Sequence, residues 1–364
     1  MSKNLKTLIA VGGTGGHVIP GLSLASHLAE KNFKIKITTD KRGYNYIKGF
    51  ENYDISILPS FPIKNKNIFL IIFSYILVFY SIIRALFFLI FNRPKIIFGM
   101  GGYASFPICI AAKVLRIKFV IYENNLIIGK ANKFLLPFTN KILVSYKDVE
   151  GISKLYQNKV IEIGNIIKKE IIDYSINDLK KDTKKLYILI LGGSQAAKIF
   201  AEKLPVILKK CNDNGVSLKI YQQCLPSQNE KLKLFYDQAN IDCEIFYFSN
   251  SLINYFSKAN LAITRSGSSM LAELTNANIP FISIPLPSSA DNHQFKNASF
   301  YKKKISSLLV EEIDIDTKLY DLIKDIHENP SIISSIVENQ RLFSDKNVYN
   351  NINQVLKDIV NEKN

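Results

Sequence analysis

A chain of 364 residues is long enough for two domains of ordinary size, each with its own core. Its four cysteines, Cys109, Cys211, Cys224 and Cys243, stand far apart with no Cys-x-x-Cys pair, which argues against a disulfide framework or a zinc site and for a reducing cytoplasm. The formal net charge of +16 comes mostly from scattered lysines without an interleaved aromatic motif, so it speaks against nucleic acid as a partner and suits an anionic membrane surface or a phosphorylated substrate.

The N-terminus, Met1 to Lys6, runs straight into an apolar stretch that shows no signal-peptide cleavage pattern, so export is not expected. That stretch, Leu8-Ile9-Ala10-Val11, reads as a strand and stops at Gly12-Gly13-Thr14-Gly15-Gly16-His17, before a helical pattern from Leu22 to Lys31. Glycines of this kind let backbone amides approach an anion at the positive end of a helix. The spacing matches neither the dinucleotide fingerprint nor a P-loop, which disfavours hydride transfer and ordinary nucleotide hydrolysis.

Lys34–Thr39 and Ile55–Pro59 read as further strands separated by helical segments, the order of a parallel α/β sheet. Ile68 to Phe91 is apolar apart from Arg84 and long enough to span a bilayer core of about 30 Å. A crossing at this point would split one βαβ sheet across the membrane, and a fully buried helix would have to hide an unusual amount of apolar surface. The favoured reading is a helix or helical hairpin packed through Ser74, Ser81 and Ala85, with a Phe and Ile face toward lipid. Lys64, Lys66, Arg84, Arg93 and Lys95 then place cations near anionic headgroups.

Lys95–Phe98 forms the next strand, ending at a second glycine loop, Gly99-Met100-Gly101-Gly102-Tyr103, and a small-residue helix, Phe106 to Leu115. Phe119–Tyr122 leads to Glu123-Asn124-Asn125, and Lys141–Ser145 and Val160–Ile163 close this half before Gly164-Asn165. A lysine-rich stretch from Asp178 to Lys185 precedes Leu186–Leu191 and Gly192-Gly193-Ser194-Gln195, which repeats the opening plan of strand, glycine pair, hydroxyl residue and helix. Leu218–Tyr221, Glu244–Phe248 and Leu261–Thr264 are strands of the second half. The last of them runs into Arg265-Ser266-Gly267-Ser268-Ser269, with Glu273 one turn further on. Such a helix start suits a diphosphate, and the carboxylate suits the hydroxyls of a ribose. Phe281–Pro287 is the next strand and ends in the polar cluster Ser288-Ser289-Ala290-Asp291-Asn292-His293-Gln294, suited to sugar hydroxyls, and Lys318 to Lys363 reads as amphipathic helices.

Taken in this order, these loops resemble the bacterial peptidoglycan N-acetylglucosaminyltransferases, of glycosyltransferase family 28. The resemblance implies two Rossmann-like α/β domains facing a central cleft, the GT-B arrangement, with no metal ion and no cofactor. It implies domains at 1–165, binding acceptor and membrane, and at 166–340, binding UDP-GlcNAc, with a helix at 341–364 that packs back on the first. The implied reaction is inverting transfer of GlcNAc from UDP-GlcNAc to the MurNAc 4-hydroxyl of lipid I, peripherally at the cytoplasmic face of the inner membrane.

Carried over by position, Thr14, Gly15 and Gly16 hold a diphosphate, and His17 takes the proton from the attacking hydroxyl. Asn125 and Gln294 contact GlcNAc, Ser194 and Ser268 the UDP phosphates, and Glu273 the ribose. Gly102, Tyr103, Glu123, Lys168, Gln195, Ser249, Arg265, Ser266, Gly267, Ser269, Met270, Leu271, Ala272 and Asn292 complete the expected binding set. Lys168 stands where the family has an arginine, Ala196 where a glycine is usual, and Ser249 in a loop that normally offers isoleucine to the base. Two other readings remain open: a GT-B transferase for another lipid such as diacylglycerol, and a membrane-tethered nucleotide-sugar-binding protein without turnover.

Overall fold

The computed structural model describes residues 5–48, 53–63, 67–174, 185–247, 252–343 and 345–361. Lys64, Lys66, Ser249 and most of the lysine-rich stretch from Asp178 lie outside them, as do the side chains of Ser194 and Gln195. The chain forms two units, Met1–Lys168 with Asp345–Asn364, and Lys169–Ser344.

The first unit runs β1 (Lys6–Ala10), α1 (Gly15–Glu30), β2 (Lys34–Thr39), α2 (Lys41–Ile47), β3 (Asp54–Ile57), α3 (Ile68–Asn92), β4 (Ile96–Gly99), α4 (Gly102–Val114), β5 (Lys118–Glu123), α5 (Lys130–Leu135), β6 (Lys141–Val144) and β7 (Val160–Glu162). The second runs α6 (Lys169–Ile172), β8 (Leu186–Leu191), α7 (Gly193–Asp213), β9 (Leu218–Gln223), α8 (Asn229–Gln238), β10 (Asp242–Phe246), α9 (Ile253–Phe256), β11 (Leu261–Thr264), α10 (Ser268–Asn276), β12 (Phe281–Ser283), α11 (His293–Lys303), β13 (Leu308–Leu309), α12 (Ile315–Glu328) and α13 (Ser331–Arg341). A last helix, α14 (Val348–Asn361), belongs to the first unit.

All strand pairs are parallel. The sheets are ordered β3-β2-β1-β4-β5-β6-β7 and β10-β9-β8-β11-β12-β13. In each, the order reverses between the first and fourth strands of its unit, and ligands of open α/β sheets bind beyond the carboxyl ends at that reversal. Central strands covered on both faces read as unbroken apolar runs, which is why Leu8, Ile9 and Ala10, and equally Ile188, Leu189 and Ile190, are buried without alternation.

The first helix starts at Gly15, seven residues before the expected Leu22, although Pro20 lies inside it. Proline has no N–H for the carbonyl four residues back, that of Gly16. The Asn124 side-chain amide donates to that carbonyl instead, at 2.9 Å, so the helix tolerates the proline.

Asn67 caps α3, its Oδ1 accepting from Leu70 N–H at 2.9 Å. The buried residues Ser74, Ser81, Ala85 and Leu89 form one stripe, as expected at helical spacing, and α4 is the helix packed against α3. Both serine hydroxyls donate to carbonyls one turn back and are thereby satisfied. The other face leaves Phe69 80% and Phe91 84% exposed, together with Phe73, Ile76, Phe79 and Phe87. By length and composition α3 passes for a membrane span, but β3 before it and β4 after it lie in one sheet, which a crossing would tear apart.

The C-terminal helix is fixed to the first unit by polar contacts. Tyr349 stacks on His27 at 4.4 Å, and Asn353 Oδ1 lies 2.9 Å from His27 Nε2. Tyr349 donates to the Ile167 carbonyl, and Lys118 Nζ to that of Ile359.

Candidate active site

In the first unit, the β1–α1 and β4–α4 loops flank the strand-order reversal. They pack closely: a Cβ on Gly12 would lie 2.3 Å from Ala104 Cβ, and one on Gly102 would lie 3.2 Å from the Gly12 carbonyl oxygen. Glycine is therefore a packing requirement at both positions. Gly13 has φ +81°, and Thr14 is the extended, exposed N-cap of α1, whose first turn contains no acidic residue. Gly15, Gly16 and His17 form that turn, where the helix dipole favours an anion.

The imidazole of His17 lies against the second glycine loop. A Cβ on Gly101 would approach its Cε1 to 2.9 Å and its Nδ1 to 3.0 Å, and one on Gly102 its Cδ2 to 3.2 Å. Tyr103 is exposed beside it in the first turn of α4. Thr14, Gly15, Gly16, His17, Gly102 and Tyr103 thus gather on the two loops.

One expected contact, Glu123, is also a scaffold group. The Glu123 carboxylate is buried, and it accepts from the Asn125 and Gly129 backbone N–H groups and from the side-chain amides of Asn125 and Asn132, at 2.8–3.1 Å. It braces the loop that carries Asn125, a partly exposed residue, through hydrogen bonds within its own chain. Lys168 ends this unit's first run and is partly buried.

Asp40, which the sequence reading passes over, is the hub behind the glycine loop. Its Oδ1 accepts from Gly43 N–H at 2.7 Å and from Gly13 N–H at 3.1 Å, and its Oδ2 receives the Arg42 guanidinium and the Ser60 hydroxyl. Burial pushes this carboxyl's pKa up, but the two N–H bonds and Arg42 together outweigh burial and hold it below its ordinary value. The available signal was an aspartate just before a helix, the N-cap preference. Asn132, and the scaffold role of Asn124 within its expected loop, are not legible in the sequence because their partners are carbonyls and a carboxylate fixed only by the fold.

In the second unit, Gly192 and Gly193 open α7, and Gly193 N–H donates to Gln223 Oε1 at 3.3 Å. Across the reversal, Gly267 caps α10, whose first turn holds Ser268, Ser269 and Met270. Ser266 lies fully buried beneath it. Its N–H donates to Gln294 Oε1, and its carbonyl accepts from Asn297 Nδ2, both at 3.2 Å. Gln294 Oε1 also accepts from Leu286 N–H, so this side chain ties the loops after β11 and β12 together and keeps only its NH₂ end for a ligand. Glu273 is 5% exposed in the second turn of α10. Asp291 and Asn292 both adopt left-handed conformations, φ 51° and 55°, at the turn into α11.

Three more residues of the expected set have side chains turned into the fold. Leu271 and Ala272 are 0% exposed, so their side chains belong to the core beneath α10. Arg265 is 8% exposed, and its guanidinium donates to the carbonyls of Ile284 and Pro285, pairs with Glu312 and lies over Phe200. It staples the carboxyl ends of β11 and β12, again through bonds within its own chain. Glu312→Gln, which leaves that cation partly unmatched, is expected to lower unfolding free energy by about 1–3 kcal/mol in a urea titration; an unshifted curve would deny the staple any weight. Beside it, Pro285, Leu286, Pro287, Asn292, Phe295, Glu311 and Glu312 line a cavity of about 280 Å³. The Asp-x-Asp at Asp314 and Asp316 is ion-paired, to Lys318 and Lys203.

Comparison with known proteins agrees with this architecture. Residues 7–144 match the glycosyltransferase family 28 N-terminal domain and residues 187–353 the glycosyltransferase family 28 C-terminal domain. The chain is 36% identical over 360 residues to the UDP-N-acetylglucosamine--N-acetylmuramyl-(pentapeptide) pyrophosphoryl-undecaprenol N-acetylglucosamine transferase of Pelagibacter ubique, covering 99% of both chains. It is 33% identical to the protein of that name from Rickettsia felis, over 92% of this chain and 94% of the other. Among solved structures, Acinetobacter baumannii MurG superposes with a TM-score of 0.75 at 21% identity, over 97% of this chain and 99% of that one. A Staphylococcus aureus MnaA–UDP structure follows the same fold with a TM-score of 0.68 at 15% identity. The two matched domain models and the full-length relatives establish that this chain belongs to glycosyltransferase family 28.

Proposed function

We propose that the protein transfers GlcNAc from UDP-GlcNAc to the MurNAc 4-hydroxyl of lipid I, forming lipid II. The observation that carries this reading is the placement of His17 in the anion-favouring first turn of α1, against the second glycine loop. An acceptor whose diphosphate sits at Thr14, Gly15 and Gly16 brings its hydroxyl to the imidazole, which removes the proton as the oxygen attacks the anomeric carbon. The carbon inverts and UDP departs. In the second unit, the N-terminus of α10 with Ser268 holds the UDP phosphates and stabilises the charge that grows on them, while Glu273 accepts from the ribose hydroxyls. Gln294 contributes its NH₂ to the sugar, and Lys168 a point charge where a guanidinium would make two bonds. Ser194, Gln195, Ser249 and Asn125 complete the binding set.

Labelled UDP-GlcNAc offered separately with lipid I and with diacylglycerol tests the reading. Label is expected in the lipid I product only; transfer to diacylglycerol, or none in a single turnover, would replace it with one of the two other readings.

The protein works peripherally on the cytoplasmic face of the membrane, with the exposed face of α3 in the lipid and Arg84, Arg93 and Lys95 among anionic headgroups. Each phenylalanine that becomes fully buried contributes about 1.5–3 kcal/mol. Replacing Phe73, Phe79 and Phe87 together by serine is therefore expected to weaken flotation with anionic liposomes by about tenfold or more; undiminished flotation would move the contact elsewhere.

A further inference from the structure

The side of α2 that meets the β1–α1 loop carries two residues to which the proposed reaction assigns no role. Arg42 and Tyr46, four residues apart, share one helical face. A Cβ on Gly13 would lie 3.9 Å from Arg42 Nη2, and one on Gly15 would lie 3.5 Å from Tyr46 Cε1, so the two side chains flank successive glycines of the loop. The position of the guanidinium is determined by the same carboxylate that shapes the loop: Asp40 takes Gly13 N–H on Oδ1, and Arg42 Nε and Nη2 on Oδ2, at 3.3 and 3.2 Å. Two of the five N–H donors of the arginine are thereby used. The side chain remains 58% exposed at the rim of the loop, with its other donors unpartnered among the described residues.

We infer that Arg42 binds the acceptor's diphosphate, its free N–H groups gripping one phosphate while the first turn of α1 holds the other. The inference rests on the reading of the glycine loop as the acceptor site and adds to it a specificity residue on a different helix. A guanidinium held by a buried carboxylate is oriented in advance, so little freedom is lost when phosphate arrives. The charge also makes recognition selective: a lone hydroxyl or a neutral lipid accepts a weaker hydrogen bond from it than a phosphate does.

The test is steady-state kinetics of the full chain with UDP-GlcNAc and a short-prenyl analogue of lipid I, for Arg42→Ala, Arg42→Lys and Thr14→Val. For Arg42→Ala, KM for the acceptor is expected to rise about tenfold or more, the effect of losing charge-assisted hydrogen bonds. Its KM for UDP-GlcNAc, its kcat at saturating acceptor and its thermal midpoint should all stay close to wild type. Arg42→Lys should recover part of the loss, since a point charge lacks the fork. Unchanged acceptor KM in Arg42→Ala overturns the inference, and so does a parallel deterioration of both substrates with a lowered midpoint, the mark of a merely structural partner for Asp40. Thr14→Val separates the two levels: a raised acceptor KM there with none in Arg42→Ala removes Arg42 alone, whereas no change in either variant removes the acceptor site from this loop.

Discussion

Alanine at position 17 is expected to lower kcat by about 10²–10⁴-fold while KM for UDP-GlcNAc stays within about twofold of wild type. A general base acts only in the transition state, so its loss falls on turnover and leaves donor binding alone. Histidine suits the task because its ring exists in both protonation states near neutral pH. His17 is partly exposed at the mouth of the loop, where a hydroxyl can reach it, and its ring rests on Gly101 and Gly102. Single-turnover transfer from labelled UDP-GlcNAc gives the rate of the chemical step directly. A His17→Ala enzyme that turns over at a near-normal rate would take the imidazole out of the chemistry and leave it as a loop contact.

Gly101→Ala is expected to lower kcat by about 10²-fold without replacing any group that reacts. Gly101 has φ 91° and ψ 179°, a region open in practice to glycine alone, and forcing alanine into it costs about 1–3 kcal/mol. The new methyl would also stand 2.9 Å from His17 Cε1, closer than such contacts allow, so the ring must move. Displacing a base by about 1 Å is enough for an effect of that size. Gly215→Ala provides the control, because φ there is 86° and no atom lies within 4 Å of the added methyl. That variant should lose stability and keep its turnover. Equal kcat values in the two variants would mean that the rigid seat under His17 does not matter to the rate.

Both expectations start from features visible in the chain itself. Four glycines around a threonine after an apolar run announced a strand, an anion-favouring loop and a helix. Repetition of that plan at Gly192 and Gly193 announced a second sheet, and the two sheets do share one strand order. Ser74, Ser81 and Ala85 marked the buried side of α3 because small residues at helical spacing have few other uses. These features are local: periodicity and glycine act on neighbours in sequence, so they can be read without knowing the fold.

The start of α1 was less accessible. Pro20 looks like a barrier to a helix beginning at Gly15, and only the tertiary structure supplies the donor from Asn124, more than a hundred residues away, that makes the proline harmless. Glu123 and Arg265 show the converse. A charged residue at a strand end suggests a ligand contact, and nothing nearby in sequence reveals that the carboxylate is claimed by Gly129 and Asn132, or the guanidinium by Ile284, Pro285 and Glu312.

What the chain determined by itself, then, was its layout: parallel strands, glycine loops at their carboxyl ends, and one helix with too much apolar surface to bury. Which polar groups face a ligand and which hold the scaffold was decided only on folding. A buried carboxylate such as Asp40 has to be satisfied, and its partners, Gly13, Arg42, Gly43 and Ser60, meet around it because β2 and the segments after it are brought beside β1, not because any short stretch of sequence specifies the cluster.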